Sequence, residues 1–91
     1  MQDDRTAGRS LAWRARADLA RRLGVPESQV EVLEVHPVEW PDASLGCPEP
    51  GKVYAAVITP GFRILLQVAG RRYEYRSDRQ RVRLCSGGQH D

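Results

Sequence analysis

The sequence predicts a two-layer α+β fold, in which one N-terminal helix covers an antiparallel sheet of about five strands. Three observations support this prediction. One amphipathic helical pattern opens the chain, the β-like runs after it alternate apolar and polar residues, and short turns join most of these runs. Short connections imply antiparallel neighbours, and an antiparallel sheet with one apolar face needs a cover that only this helix can supply.

Size and composition indicate a single small globular domain over residues 1–91, with polar tails at residues 1–8 and 86–91. The hydrophobic fraction of 41% and the charged fraction of 29% are ordinary for such a domain. No run approaches the roughly 18 apolar residues that a membrane span needs, and no apolar signal segment follows Met1. An exported or periplasmic location is favoured if a leader has been removed, and a cytoplasmic location otherwise.

The helix is predicted from about Ser10 to Leu23. Its apolar residues are spaced three or four apart and form one stripe, which comprises Leu11, Ala12, Ala15, Leu19 and Leu23. Ser10 is a favourable N-cap residue. Gly24 can adopt the left-handed conformation that ends many helices, and Pro26 prevents the helix from continuing.

Five strand-like runs follow the helix, at about residues 30–38, 52–59, 62–69, 71–76 and 81–85. In the first run the alternation of apolar residues shifts by one position between Val32 and Leu33, which predicts a β-bulge or burial on both faces. Pro37 favours a position at the edge of the sheet. The sequence Thr59-Pro-Gly-Phe62 predicts a type II turn between the second and third runs. Ala69 and Gly70 predict a second tight turn.

The most distinctive stretch is the loop Trp40-Pro-Asp-Ala-Ser-Leu-Gly-Cys-Pro-Glu-Pro-Gly51. Its three prolines lack backbone donors and restrict the chain, so this stretch can form neither a helix nor a regular strand. Trp40 and Leu45 favour burial, and Asp42 can close an Asx-turn onto the backbone ahead of it. The sequence therefore predicts a rigid, packed loop and not a flexible linker.

The chain has two cysteines, Cys47 and Cys85, which form either a disulfide or two buried thiols. A disulfide is favoured if the compartment is oxidising, because it would close a loop of about 40 residues and stabilise the domain by about 4 kcal/mol. The cysteines, His36 and His90 lack the short spacing of a zinc site, and neither cysteine lies in a nucleophile signature. We therefore predict no metal and no cofactor.

The charges are unevenly distributed, with net values of +2, −4 and +4 in residues 1–30, 31–60 and 61–91. The basic C-terminal part offers an alternative function, nucleic-acid binding, through Arg71, Arg72, Arg76, Arg79, Arg81, Arg83, Tyr73 and Tyr75. The acidic middle of the chain opposes this function. Alternation along the strands also places Arg72, Arg76, Arg81 and Arg83 on a solvated face opposite the tyrosines, so nucleic-acid binding is not expected.

The motif W-P-D-x-S-L-G-C-P-x-P-G at residues 40–51 is followed by Pro60-Gly-Phe-Arg-Ile64 and Tyr73-Glu-Tyr75. Together they resemble a family of small bacterial proteins of unknown function, many of which are exported. The resemblance extends from about Leu19 to Cys85 and implies no particular activity. The order of a helix followed by hairpins is also similar to that of PepSY-type domains, which are linked to peptidase inhibition, but this similarity concerns the fold alone.

The sequence thus favours a non-catalytic binding or inhibitory module that contacts a protein or peptide partner through the loop. The candidate binding residues are Trp40, Asp42, Ser44, Glu49 and Tyr54, because a proline-braced loop loses little entropy on binding and Trp and Tyr are frequent in binding hot spots. The alternatives are the nucleic-acid-binding domain and a purely structural or accessory domain. An enzyme is not expected, since no two of the polar candidates, His36 included, stand at a catalytic spacing. No sequence signal points to an oligomeric state.

Overall fold

In the computed structural model, which describes residues 4–89, one helix packs on a four-stranded antiparallel sheet. The elements are α1 (Asp4–Leu23), a 3₁₀ turn (Glu27–Gln29), β1 (Glu31–Trp40), β2 (Thr59–Val68), β3 (Arg71–Ser77) and β4 (Val82–Gln89). The strands are ordered β1-β2-β3-β4, so β1 and β4 form the two edges. The α+β class is confirmed, and the prediction of about five strands is corrected to four.

Helix α1 starts earlier than predicted and ends where predicted. It begins at Asp4 and not at Ser10, so residues 4–8, assigned above to a polar tail, are helical. At its end Gly24 has a φ of 67°, and the N–H of Val25 donates to the carbonyl of Ala20 at 3.0 Å. This bond belongs to the Schellman motif that satisfies the last helical carbonyls.

The core lies between α1 and the helix-facing side of the sheet. Its buried members are Leu11, Ala12, Ala15, Leu19, Ala20, Val30, Phe62, Ile64, Leu66, Val68, Tyr73 and Tyr75. Every second residue of β2 from Phe62 to Val68 belongs to this set, as do Tyr73 and Tyr75 of β3, as the alternation predicted. Leu23 differs from its prediction, because it is 39% exposed.

The predicted second strand is absent, and this lengthens the loop. Residues 52–58 join no strand, and Thr59-Pro-Gly-Phe62, predicted as a turn, forms the beginning of β2. Pro60 lies opposite Glu39 of β1, at a level that β3 does not reach, so its missing N–H costs no ladder bond to β3. A Cβ atom at Gly61 would collide with the carbonyl oxygen of Ser77, so only glycine fits there. The loop therefore spans residues 41–58.

Local irregularities of the strands follow the sequence. The register of β1 against β2 shifts between Val32 and Glu34, which confirms a bulge, and β1 with its Pro37 is an edge strand. Ala69 and Gly70 both have positive φ, 50° and 78°, as in the type I′ turns of tight hairpins. Strand β4 continues to Gln89, through most of the predicted C-terminal tail. The other tail residues, 1–3 and 90–91, and with them His90, lie outside the described residues.

Candidate functional site

The loop of residues 41–58 lies on the side of the sheet opposite α1, against two arginines of β3 and β4. Arg76 and Arg83 are paired across these strands and alternate with Tyr75 and Leu84, which face the helix side. Their side chains are only 25% and 23% exposed. The prediction that Arg76 and Arg83 belong to a solvated face is therefore wrong, because the loop covers them.

The first half of the loop is fixed by buried side chains. Trp40 and Leu45 are 7% and 6% exposed, which confirms that both pack beneath the loop. The indole Nε1 of Trp40 donates to the carbonyl of Ser77 at 2.9 Å. The guanidinium of Arg76 lies 5.0 Å from the centroid of the Trp40 ring, and its Nη1 donates to the carbonyl of Leu45 at 3.0 Å. Arg76 thus joins the tryptophan to the loop backbone.

The backbone of this half is unusual at two consecutive positions. Leu45 and Gly46 have φ values of 60° and 74°. The left-handed conformation costs a residue such as leucine about 1–2 kcal/mol and persists only where the surroundings impose it. Glycine is favoured at position 46 because of its positive φ, and a Cβ atom there, 2.5 Å from Nη1 of Arg76, would also force the tip of this arginine to move.

Asp42 closes the turn that precedes these residues. One of its carboxylate oxygens accepts bonds from the hydroxyl and the backbone N–H of Ser44, at 2.5 and 2.9 Å. The predicted Asx-turn is therefore confirmed. The same two hydrogen bonds, with that of the hydroxyl foremost, hold the pKa of Asp42 below its usual value.

The middle of the loop is tied to β4 by a covalent bond and by one arginine. Cys47 and Cys85 form the predicted disulfide, with their Cα atoms 5.8 Å apart. Arg83 donates to the carbonyl of Ser44 at 3.2 Å and to the carboxylate of Glu49 at 2.9 Å. It also donates to the hydroxyl of Tyr54 at 3.3 Å. One guanidinium therefore joins three separated points of the loop.

Glu49 and Tyr54 complete this network. The N–H of Glu49 donates to the Tyr54 hydroxyl at 3.0 Å, and the Glu49 carboxylate pairs with Lys52 at 2.8 Å. The hydrogen bond and charge of Lys52, followed by those of Arg83, lower the pKa of Glu49. The side chains of Glu49 and Tyr54 thus stabilise the shape of the loop and its attachment to Arg83.

The last part of the loop, residues 51–58, is here called the exposed segment. Its large apolar side chains are open to solvent, with Val53 98%, Val57 55% and Ile58 65% exposed. A backbone bond of 3.0 Å from the N–H of Ala43 to the carbonyl of Ala55 holds it against the first half. Sequence reasoning missed these residues, because an unbroken apolar run of β-forming residues is typical of a buried strand.

The structure brings the predicted site residues together, but mostly as supports of the loop. Trp40 and Ser44 are buried, at 7% and 5% exposure, while Asp42, Glu49 and Tyr54 bond to loop atoms. His36 is separate, on β1, where its Nε2 lies 2.6 Å from the carboxylate of Glu34. Within residues 4–89 there is no cluster of three metal-binding side chains and no helix that could cross a membrane.

Fold and site together define a small α+β domain that holds one long loop against its sheet by a disulfide and two arginines. The chain belongs to the family described as a domain of unknown function (DUF8738), which matches residues 13–85. This match supports the resemblance to a family of unknown function. No curated protein and no solved structure matches the chain.

Proposed function

We propose that this domain is a non-catalytic binding module that contacts a protein partner through the exposed segment. The observation that carries this proposal is the exposure of Val53, Val57 and Ile58 on a loop that is fixed elsewhere. Three large apolar side chains are exposed within six residues of one loop, which is unfavourable in water, and exposed apolar surface on a small domain commonly marks an interaction site. Long ordered loops are also frequent carriers of function.

The fixed half of the loop supports this proposal because it reduces the entropy that binding would cost. The disulfide, Arg76 and Arg83 determine the course of the chain up to Tyr54 before any partner arrives. A segment whose base is already ordered loses less conformational freedom when a partner covers it. In this proposal Asp42, Ser44, Glu49 and Tyr54 maintain the shape of the loop, and the aliphatic side chains make the contact.

We further propose that the domain is exported, as in the bacterial family that its motif resembles. The Cys47–Cys85 disulfide is consistent with an oxidising compartment. The PepSY-like order of elements supports a peptidase as one class of partner, and binding to it would then be inhibitory. That similarity concerns the fold alone, so the proposal names a protein partner and not a particular peptidase.

The test compares the wild-type domain with a variant that carries Val53→Ser, Val57→Ser and Ile58→Ser. Both are immobilised and exposed to an extract of the native organism, and retained proteins are identified by mass spectrometry. We expect a protein that the wild type retains and the triple variant loses, with unchanged thermal unfolding. The matched control is Val32→Ser, which alters an exposed valine of β1 outside the loop and should retain the same protein. Identical retention by all three proteins would contradict the proposal.

A further inference from the structure

The exposed segment has the composition of a β-strand but pairs with no strand of the domain's described part. Its residues 53–58, Val-Tyr-Ala-Ala-Val-Ile, are mostly β-branched or aromatic and include no charge, proline or glycine. Residues 52–56 form no helix, turn or bend, and none of residues 52–58 has a positive φ, so this backbone is compatible with an extended strand. A short apolar strand with an open backbone is a template for pairing with another chain.

One side of this segment is already bonded, and the other side is open. The carbonyl of Ala55 accepts a bond from the N–H of Ala43, so the backbone groups of Ala55 are directed towards the first half of the loop. In an extended strand the N–H and the C=O of one residue lie on the same side, and neighbouring residues alternate. The backbone groups of Tyr54 and Ala56 are therefore directed outwards, and no described residue bonds to them.

The charge of the exposed segment permits an identical segment as its partner. Lys52 is its single charged residue, and the ammonium of Lys52 pairs with the carboxylate of Glu49 at 2.8 Å. Two copies can therefore approach without like charges that lack a partner on either segment. An uncharged apolar strand is complementary to a second strand of the same kind, because their contact removes apolar surface of both from water.

The order of the side chains fits an antiparallel pair with a two-fold axis. Val53 and Val57, which are 98% and 55% exposed, stand two positions before and two positions after Ala55. If Ala55 lies opposite Ala55 of a second copy, Val53 of each copy lies opposite Val57 of the other. The same register places Tyr54 opposite Ala56, and these are the residues whose backbone groups are directed outwards. Cross-strand side-chain pairs of this kind are the unit of sheet stabilisation.

The two edges of the sheet are less suited to such pairing. Strand β1 contains Pro37 and a bulge after Val32, and its three glutamates would meet those of another copy in an antiparallel pair. Strand β4 shares a cleft with Arg22 of α1 and with residues 47–50 of the loop, so an incoming strand would have to fit between them. The exposed segment has neither obstacle.

We infer that the partner of the exposed segment is a second copy of this chain, and that the two segments pair as antiparallel strands across a two-fold axis. This inference rests on the proposed function, because it names the partner of the same surface. The contact is isologous, with Tyr54 of each copy bonded to Ala56 of the other. Two such short segments bury less than the roughly 1,200 Å² of a stable interface, so the dimer is weak and depends on concentration.

Sedimentation velocity of the purified domain, with its disulfide intact, tests this inference. The wild type should change from monomer to dimer between about 10 μM and about 1 mM, as expected of a small interface. Ala56→Pro removes the outward N–H and should abolish the dimer. Ala56→Ser keeps this N–H and is the matched control, which should leave the dimer in place. Ala56 is exposed and its N–H has no partner among the described residues, so both variants should keep the thermal unfolding of the wild type.

The register is tested by NMR on a mixture of isotope-labelled and unlabelled protein. Nuclear Overhauser effects between copies should join the methyl groups of Val53 to those of Val57. The variant Val53→Ser with Val57→Ser should weaken the dimer by about tenfold or more, because it removes both cross-strand pairs. Val32→Ser, which alters an exposed valine of β1, should leave the dimer unchanged.

Three results would overturn the inference: a monomer at about 1 mM, a dimer that survives Ala56→Pro, or contacts between copies that centre on β1 or β4. The experiment with the native extract separates this inference from the proposed function. Retention of this chain itself by the wild type, and its loss in the triple serine variant, would support both. If the purified domain stays monomeric while its exposed segment retains a different protein, the inference is wrong and the proposed function stands. If the domain is monomeric and the triple variant retains the same proteins as the wild type, both are wrong.

Discussion

At the residue scale, one hydrogen bond joins the polar surface of α1 to the core of the sheet. Tyr75 is fully buried, yet its hydroxyl donates to the carboxylate of Asp18 at 2.6 Å. Burial alone would raise the pKa of Asp18, but the hydrogen bonds of Tyr75 and Arg22 and the charges of Arg22 and Arg21 outweigh burial and lower it. Burial, and then the bond to Asp18, raise the pKa of Tyr75. Both shifts favour the ionised carboxylate and the neutral phenol at neutral pH.

This pair gives a prediction about stability and pH. Because the pKa of Asp18 is lower in the folded state, its contribution is present above the unfolded pKa of about 4 and is lost as the pH falls through the folded pKa. Tyr75→Phe keeps the ring but removes a bond to the carboxylate, so it should lower the free energy of unfolding by about 1–3 kcal/mol at pH 7. The difference from wild type should narrow on acidification below about pH 4 as Asp18 becomes protonated.

The measurement is urea denaturation of the wild type and the variant between neutral and acidic pH. Tyr73→Phe is the matched control, because Tyr73 occupies the same row of β3 two residues earlier and should show no such pH-dependent difference. A constant difference between Tyr75→Phe and wild type across the whole pH range would mean that the pair does not contribute through the charge of Asp18.

At the element scale, the loop depends on two kinds of attachment. Trp40 and Leu45 hold its beginning by burial, whereas Cys47 and the contacts of Arg83 hold its middle at β4. The sequence predicted the first kind well, since prolines, a tryptophan and an Asx residue act locally. It did not predict the role of Arg83, because the partners of this arginine come from three positions that only the folded loop brings together.

Removal of the disulfide should loosen the middle of the loop and leave its beginning packed against the sheet. In the double variant Cys47→Ser with Cys85→Ser, the free energy of unfolding should fall by about 2–4 kcal/mol. Hydrogen exchange should quicken in residues 47–55 and at Ala43, whose N–H donates to the carbonyl of Ala55, while the amides of residues 44–46 stay protected by the packing of Trp40 and Leu45. Non-reducing mass spectrometry of the wild type should first show the oxidised mass. Two alkylatable thiols in native wild-type protein, or an unchanged exchange pattern in the variant, would contradict this prediction.

At the scale of the whole molecule, the sequence predicted which face of the sheet is buried, because local alternation determines it. It did not predict the number of strands, which depends on pairing between distant residues. Residues 62 to 68 of β2 alternate so regularly that their buried face could be assigned without a structure. The number of strands could not be assigned in this way, because it depends on the pairing of Trp40 with Thr59. That register leaves residues 41–58 outside the sheet. The half-exposed position of Trp13 could not be predicted for a similar reason, because it depends on the packing of α1 beside the edge strand β1.

The distribution of charge over the whole molecule leads to a last prediction, about nucleic acids. Two of the arginines that could have formed a binding face, Arg76 and Arg83, bond to the loop and to Glu74 or Glu49. The acidic strand β1 lies at the opposite edge of the same sheet, so no uniformly basic surface runs across the part of the sheet that the structure describes. Few phosphates can then be neutralised, and binding that rests on few phosphate contacts is weak.

We therefore expect that fluorescence anisotropy with single-stranded and duplex oligonucleotides will show only weak binding, which physiological salt abolishes. The variant Arg71→Ser with Arg72→Ser separates the two outcomes, because these arginines lie at the exposed start of β3 and leave the loop contacts intact. If binding is nonspecific, the double substitution should reduce the small low-salt signal and change nothing at physiological salt. A submicromolar affinity that persists at physiological salt and falls with the same substitutions would instead assign the C-terminal strands to nucleic-acid binding.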